Sequence, residues 1–161
     1  MPETNPSQSF RARGASDELE QILNEATRSV GAKAGYIRLV EDGKWMIGAV
    51  TELAADYLAE ISELVLEPSQ DVKKTLAAEA MSTNRPAVVD DVTTAEIIYP
   101  QTREVAAKHG FGGSAAIPLL AGDDPIGVII IFDGTVRRFT EEETSQLTAF
   151  ADRAVLSIGR A

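Results

Sequence analysis

Nine residues carry the side chains that could do chemistry here: Tyr36, Arg38, Trp45, Asp90, Asp91, Tyr99, Arg103, His109 and Ser114. Trp45 and Tyr99 can stack on a planar molecule. Arg38 or Arg103 can hold an anionic group through two parallel hydrogen bonds. Such a mixture, an aromatic lining with a few directed polar groups, suits binding better than bond-making. His109 is the one histidine. A neutral imidazole can serve as an iron ligand. A histidine at the end of a helix, beside Gly110, is also stabilised simply by the carbonyl end of the helix dipole. Bland readings stand beside the others too. Trp45 can be core, Arg38 can pair with Asp90 or Asp91, the two aspartates can cap a loop, and Tyr99-Pro100 can be turn chemistry.

Covalent chemistry has little to draw on. The chain has no cysteine, which removes disulfides, thiolate metal sites and cysteine nucleophiles together. No nucleophile–base spacing or metal-ligand spacing appears, so an enzyme is not expected. The formal charge of −10 opposes nucleic acid and anionic membranes as partners. The longest apolar run, Ile126 to Phe132, is too short to span a bilayer, and no signal peptide is evident. A cytoplasmic location is the expectation. The 161 residues suit one domain, residues 16–161, behind a polar lead-in over residues 1–15.

Elements must hold these residues in place. Leu19, Ile22, Leu23, Ala26 and Val30 recur at helical spacing. GYIRLV and KWMIGAV then flank Asp42-Gly43, which predicts a hairpin with a type I′ turn. That turn sets Val40 against Trp45, Arg38 against Ile47 and Tyr36 against Ala49, all on one side. Ile37, Leu39, Met46, Gly48 and Val50 share the aliphatic side. A helix is predicted over about 53–64, and Pro68 ends it. Ser69 can cap a second helix over about 71–83, closed by Asn84-Arg85-Pro86.

A short strand, Ala87-Val88-Val89, comes next. Thr93 and Glu96 have capping-box spacing, so a helical turn is expected there. Residues 101–109 read as a helix with Val105 and Ala106 inward. Strands are predicted over about 113–120 and 125–132. Ile126–Ile131 shows no alternation, so this strand is covered on both faces and central. Thr140 to Glu143 is a capping box opening a last helix with Leu147, Phe150, Ala151, Ala154, Val155 and Ile158. The class is α+β: a mostly antiparallel sheet of about five to six strands with helices on both faces.

The sequence resembles a GAF domain, a small-molecule sensing module of signalling proteins, over about residues 16–160. The resemblance rests on NRPAVVDDV (84–92), on His109-Gly110-Phe111 leading into Ser114–Leu119, on Pro125–Ile129, and on FTEEE (139–143) before the last helix. It implies a ligand pocket between the sheet and the helices and loops preceding the fourth strand. The nine residues above would line it. It also implies terminal helices that pair across a homodimer and lead to an output domain, as in a histidine kinase. Leu19, Ile22, Ala26, Leu147, Ala151, Ala154 and Ile158 are the expected dimer seam. The alternatives are a ligand-free dimerisation scaffold and a haem sensor using His109. Related sulfoxide reductases and covalent bilin carriers work through cysteines, so both activities are excluded chemically. An Asn-Lys pair common in cyclic-nucleotide binders is absent. The identity of the ligand is left open.

Overall fold

The computed structural model describes residues 15–64 and 75–160. The chain runs α1 (Ala15–Ser29), β1 (Ala34–Glu41), β2 (Lys44–Val50), α2 (Glu52–Leu64), α3 (Leu76–Thr83), β3 (Ala87–Val89), α4 (Pro100–Lys108), β4 (Ser114–Ala121), β5 (Asp124–Phe132) and α5 (Glu141–Arg160). The five strands form one antiparallel sheet in the order β2-β1-β5-β4-β3. β5 is therefore central, as its unbroken apolar run requires. The lead-in expected over residues 1–15 lies outside the described residues except for Ala15.

Several elements follow directly from local chemistry. Asp42 and Gly43 both take positive φ, 54° and 75°, as a type I′ turn demands. Asn84 closes α3 in the left-handed region, and its side-chain amide donates to the Asp123 carbonyl at 3.0 Å. Thr140 and Glu143 cap α5 reciprocally. The Glu143 N–H donates to Thr140 Oγ1 at 3.1 Å and the Thr140 N–H to Glu143 Oε1 at 2.9 Å.

The sheet separates two cores. On one face α1 and α5 lie together over Ile37, Leu39, Ile117, Leu119, Ile129 and Ile131. On the other, α2, α3 and α4 cover Tyr36, Ala116, Val128, Ile130 and Phe132. Adjacent residues of β5 thus serve opposite layers, because side chains alternate along a strand.

Four expectations change. The β1–β2 register holds from Val40–Trp45 to Arg38–Ile47, then slips at Ile37/Arg38. Ala49 consequently pairs with Ile37 and joins the terminal-helix core. Val50 pairs with Tyr36 and packs on the opposite side. A bulge inserts one residue and so inverts the facing of everything beyond it.

The helix expected to start near Asp71 behind Ser69 is described from Leu76, with Thr75 as its N-cap; Ser69 and Asp71 lie outside the described residues. The Ala78 N–H donates to Thr75 Oγ1 at 3.0 Å. No helix begins at Thr93. The Asp91 carboxylate takes over, accepting from the Thr93 N–H at 2.9 Å and the Thr93 hydroxyl at 2.6 Å, so the segment forms successive turns.

The expected dimer seam is claimed by intrachain packing. Leu19, Ala26, Leu147 and Ala154 are fully buried, and Ile22 and Ala151 nearly so. Ile158 packs partly buried against the same core.

Candidate functional site

Tyr36 and Arg38 stand two apart on β1 and so project from the same face. β2 returns from the tight turn and places Trp45 beside them, with the Arg38 guanidinium carbon 5.0 Å from the indole centroid. α2 adds Tyr57 and Ile61, one helical turn apart. The first turn of α3 adds Thr75, Leu76, Ala77 and Ala78. Val92 and Ile98 come from the loop, Thr102 from α4, and Ser114, Ile130 and Phe132 from β4 and β5. Together these residues enclose a cavity of about 380 Å³. The cavity lies on the sheet face opposite the terminal helices. Its size falls within the range of small-molecule sites, roughly 300–1,000 Å³.

Aromatic packing shapes its floor. Tyr57 meets Phe132 edge-on at 5.0 Å, and Phe111 stacks on Phe132 at 4.5 Å. Tyr36 is 6.1 Å from Phe132 and 6.5 Å from Tyr57. Burial pushes the Tyr36 phenol up to about 12, against a smaller opposing effect of Arg38. Burial, reinforced by Tyr36, raises Tyr57 well above the ordinary phenol range. Both hydroxyls are therefore protonated at neutral pH and available to donate.

Arg38 supplies the contrast. Burial lowers its pKa, yet guanidinium stays charged. Its Nε is buried without a hydrogen-bond partner among the described residues. No Asp, Glu or Lys is among the described lining residues. The Ser114 hydroxyl already donates to the Ile131 carbonyl at 2.9 Å.

Four of the nine sequence candidates line this cavity: Tyr36, Arg38, Trp45 and Ser114. Trp45 is 36% exposed and sits at the rim, not in the core. The other five are placed elsewhere. Asp90 is exposed and pairs with Arg138 at 2.8 Å, so the alternative pairing with Arg38 does not form. Asp91 organises the loop turn. Tyr99 is the buried residue immediately before α4, and Arg103 is half-buried on that helix; neither is in the lining.

His109 caps α4 and lies 2.7 Å from Glu60 Oε1 through Nε2, with its ring edge-on to Tyr57 at 6.0 Å. His109 first, then Lys108, holds the Glu60 carboxyl below its ordinary value. Among the described residues no group of three or more His, Cys, Asp or Glu could hold a metal ion. Sequence reasoning missed Tyr57, Thr102, Ile130 and Phe132. Antiparallel pairing would have found Ile130, which sits across from Tyr36, and helical spacing links Tyr57 to Ile61.

The family model for the GAF domain matches residues 12–158. The chain belongs to the GAF domain family. No curated protein matches it. Solved GAF structures share the fold at low identity. The GAF domain region of a protein from Geobacter sulfurreducens PCA is 23% identical with a TM-score of 0.73, covering 94% of this chain and 97% of that one. A domain described as belonging to a two-component sensor histidine kinase from Sinorhizobium meliloti 1021 is 19% identical with a TM-score of 0.69, covering 89% and 90%. The type II free methionine-R-sulfoxide reductase of Thermoplasma acidophilum is 15% identical with a TM-score of 0.67, covering 92% and 94%. The cavity of this GAF domain lies between the sheet and the helices and loops before β4. Among the described residues, no helix of this GAF domain is long and apolar enough to cross a membrane.

Proposed function

We propose that this GAF domain is a non-catalytic sensory module that binds a small molecule in the Trp45-side cavity and reports occupancy through its terminal helices. One observation carries the reading. A cavity of about 380 Å³ holds a cation, Arg38, whose buried Nε has no hydrogen-bond partner among the described residues, and the other described lining residues are apolar or neutral. Holding a guanidinium in such surroundings is costly, and the cost is offset when a ligand brings an anionic acceptor to it. The likeness to a domain described as part of a sensor histidine kinase supports a place in a histidine kinase or comparable signalling protein. Any catalytic activity would then belong to an attached output domain.

A thermal-shift screen tests this. Nucleotides, amino acids, organic acids, oxoanions, bilins and haemin are each added to the purified domain. A saturable rise in melting temperature supports a ligand site. Indifference to every compound favours the second reading, a dimerisation scaffold. That reading draws on Leu156, which is 62% exposed on α5 and leaves an outer helix face for a second copy. Light scattering across a dilution series distinguishes a dimer from a monomer. Haemin is expected to produce no Soret shift, because His109 Nε2 is already engaged by Glu60.

A further inference from the structure

The chemistry of the cavity narrows what it takes, given the ligand-binding reading above. Arg38 is the sole charged side chain among the described lining residues, so this part of the wall offers a cation, and no carboxylate is among the described residues that line it. A ligand ammonium finds no counter-ion among these residues. An acid finds one.

The position of Arg38 is selective too. A guanidinium lying over an aromatic face keeps its N–H donors in its own plane, which suits a carboxylate approaching edge-on. The Arg38 guanidinium carbon stands 5.0 Å over the Trp45 ring, with Nε buried and lacking an acceptor among the described residues. The protonated hydroxyls of Tyr36 and Tyr57 add neutral donors. The first turn of α3 opens on the same space, and its dipole adds positive potential. Beyond this polar end the walls are Ile61, Ile130 and Phe132, which accept a flat apolar body. A phosphate monoester would set two negative charges against one arginine.

We propose that the cavity binds a compact planar monocarboxylate, one or two rings in size, with its carboxylate on Arg38 and its ring against the Ile61–Ile130–Phe132 wall. Trp45 is the only tryptophan in the chain, so the site carries its own optical reporter.

The test is isothermal titration calorimetry on the whole chain with benzoate and trans-cinnamate. Benzamide, benzylamine, phenyl phosphate and 3′,5′-cyclic AMP are the comparisons. The expected result is that one or both carboxylates bind at least about tenfold more tightly than benzamide, since a charge-assisted pair is being removed. Benzylamine should give no heat. Benzoate should also change the Trp45 emission. Arg38→Gln should abolish the preference for benzoate over benzamide with an unchanged far-UV circular dichroism spectrum.

The preference measured in the unmodified chain decides the matter even if that variant fails to fold. Equal affinity for benzoate and benzamide overturns the assignment to Arg38 but leaves a ligand site. Tighter binding of phenyl phosphate or the cyclic nucleotide overturns the carboxylate class in favour of a phosphate. Silence with all six probes overturns the proposal. The sensory reading falls only if the broader thermal-shift screen is silent as well.

Discussion

The two faces of the sheet are built from the same strands and treated oppositely. Under α1 and α5, aliphatic side chains from every long strand close into a core in which Leu19, Ile37, Ile117, Leu119, Ile129, Ile131 and Leu147 reach essentially zero exposure. Under α2, α3 and α4, aromatic residues line a space of about 380 Å³ with a cation in its wall. The closed face makes the domain stable. The open face gives up packing and keeps a polar group without a hydrogen-bond partner among the described residues, a pattern expected where local order is traded for recognition.

Substitutions can break that contrast. The largest effect is expected on the closed face: Leu147→Ala should destabilise the domain by about 2–5 kcal/mol, through lost burial and the cavity left behind. Chemical denaturation would read it as a lower midpoint with an unchanged slope. Thr140→Ala removes one half of the reciprocal cap on α5 and should cost about 1 kcal/mol by the same measurement. On the open face the sign is expected to reverse. Arg38→Met replaces a half-buried cation that has no carboxylate partner among the described residues by an apolar chain of similar length, and should be neutral or stabilising by up to about 1 kcal/mol while abolishing selective acid binding. A loss of stability comparable to that of Leu147→Ala would show that Arg38 holds the fold instead.

The smallest effects sharpen the comparison through pH. On the terminal-helix side, the Thr140 backbone N–H, aided by Arg137, holds the Glu143 carboxyl below its ordinary 4.5. A carboxyl depressed in the folded state contributes fully above pH 4.5, and that contribution is lost as pH falls through the lower folded value. Glu143→Gln should flatten that acid slope. On the cavity side, Tyr36 is raised from 10.0 to about 12. Its stabilisation is complete below pH 10 and is lost as pH climbs toward 12. Tyr36→Phe should remove part of that alkaline slope and leave the acid one intact. Melting temperatures measured across the pH range would separate the two.

Much of this arrangement was legible in the sequence because it is local. The Asp42-Gly43 turn, the Asn84 stop and the Thr140–Glu143 cap each depend on residues a few positions apart. The unbroken aliphatic run of β5 announces its central place in the same way. The register slip at Ile37/Arg38 has one sign in the sequence, Gly48 inside β2, which is the residue the pairing skips; the turn alone gives no hint of it. The Thr93–Glu96 pattern was real as spacing but lost to Asp91, whose carboxylate reaches the Thr93 N–H and hydroxyl first.

The site divides along the same line. Tyr36, Arg38 and Trp45 line one cavity because strand pairing dictates their common face. Asp90, Asp91, Tyr99, Arg103 and His109 were grouped by proximity in sequence to β4, and the loop and α4 carry them away from the cavity. Tyr57 was invisible because a tyrosine on an amphipathic helix gives no local sign of which layer it covers. The terminal-helix stripes were read as a seam between copies, yet a stripe shows only that something covers it, and here the sheet and the neighbouring helix do.

β5 acts as a partition one peptide thick. Ile130 and Phe132 face the hollow, while Ile129 and Ile131 sit in the layer that holds Leu147. Under the sensory reading, a guest that pushes on Ile130 would be pushing on the same strand that carries Ile129 and Ile131 into the far layer. With no loop or hinge between the two compartments, news of occupancy would cross as a twist of this single ribbon.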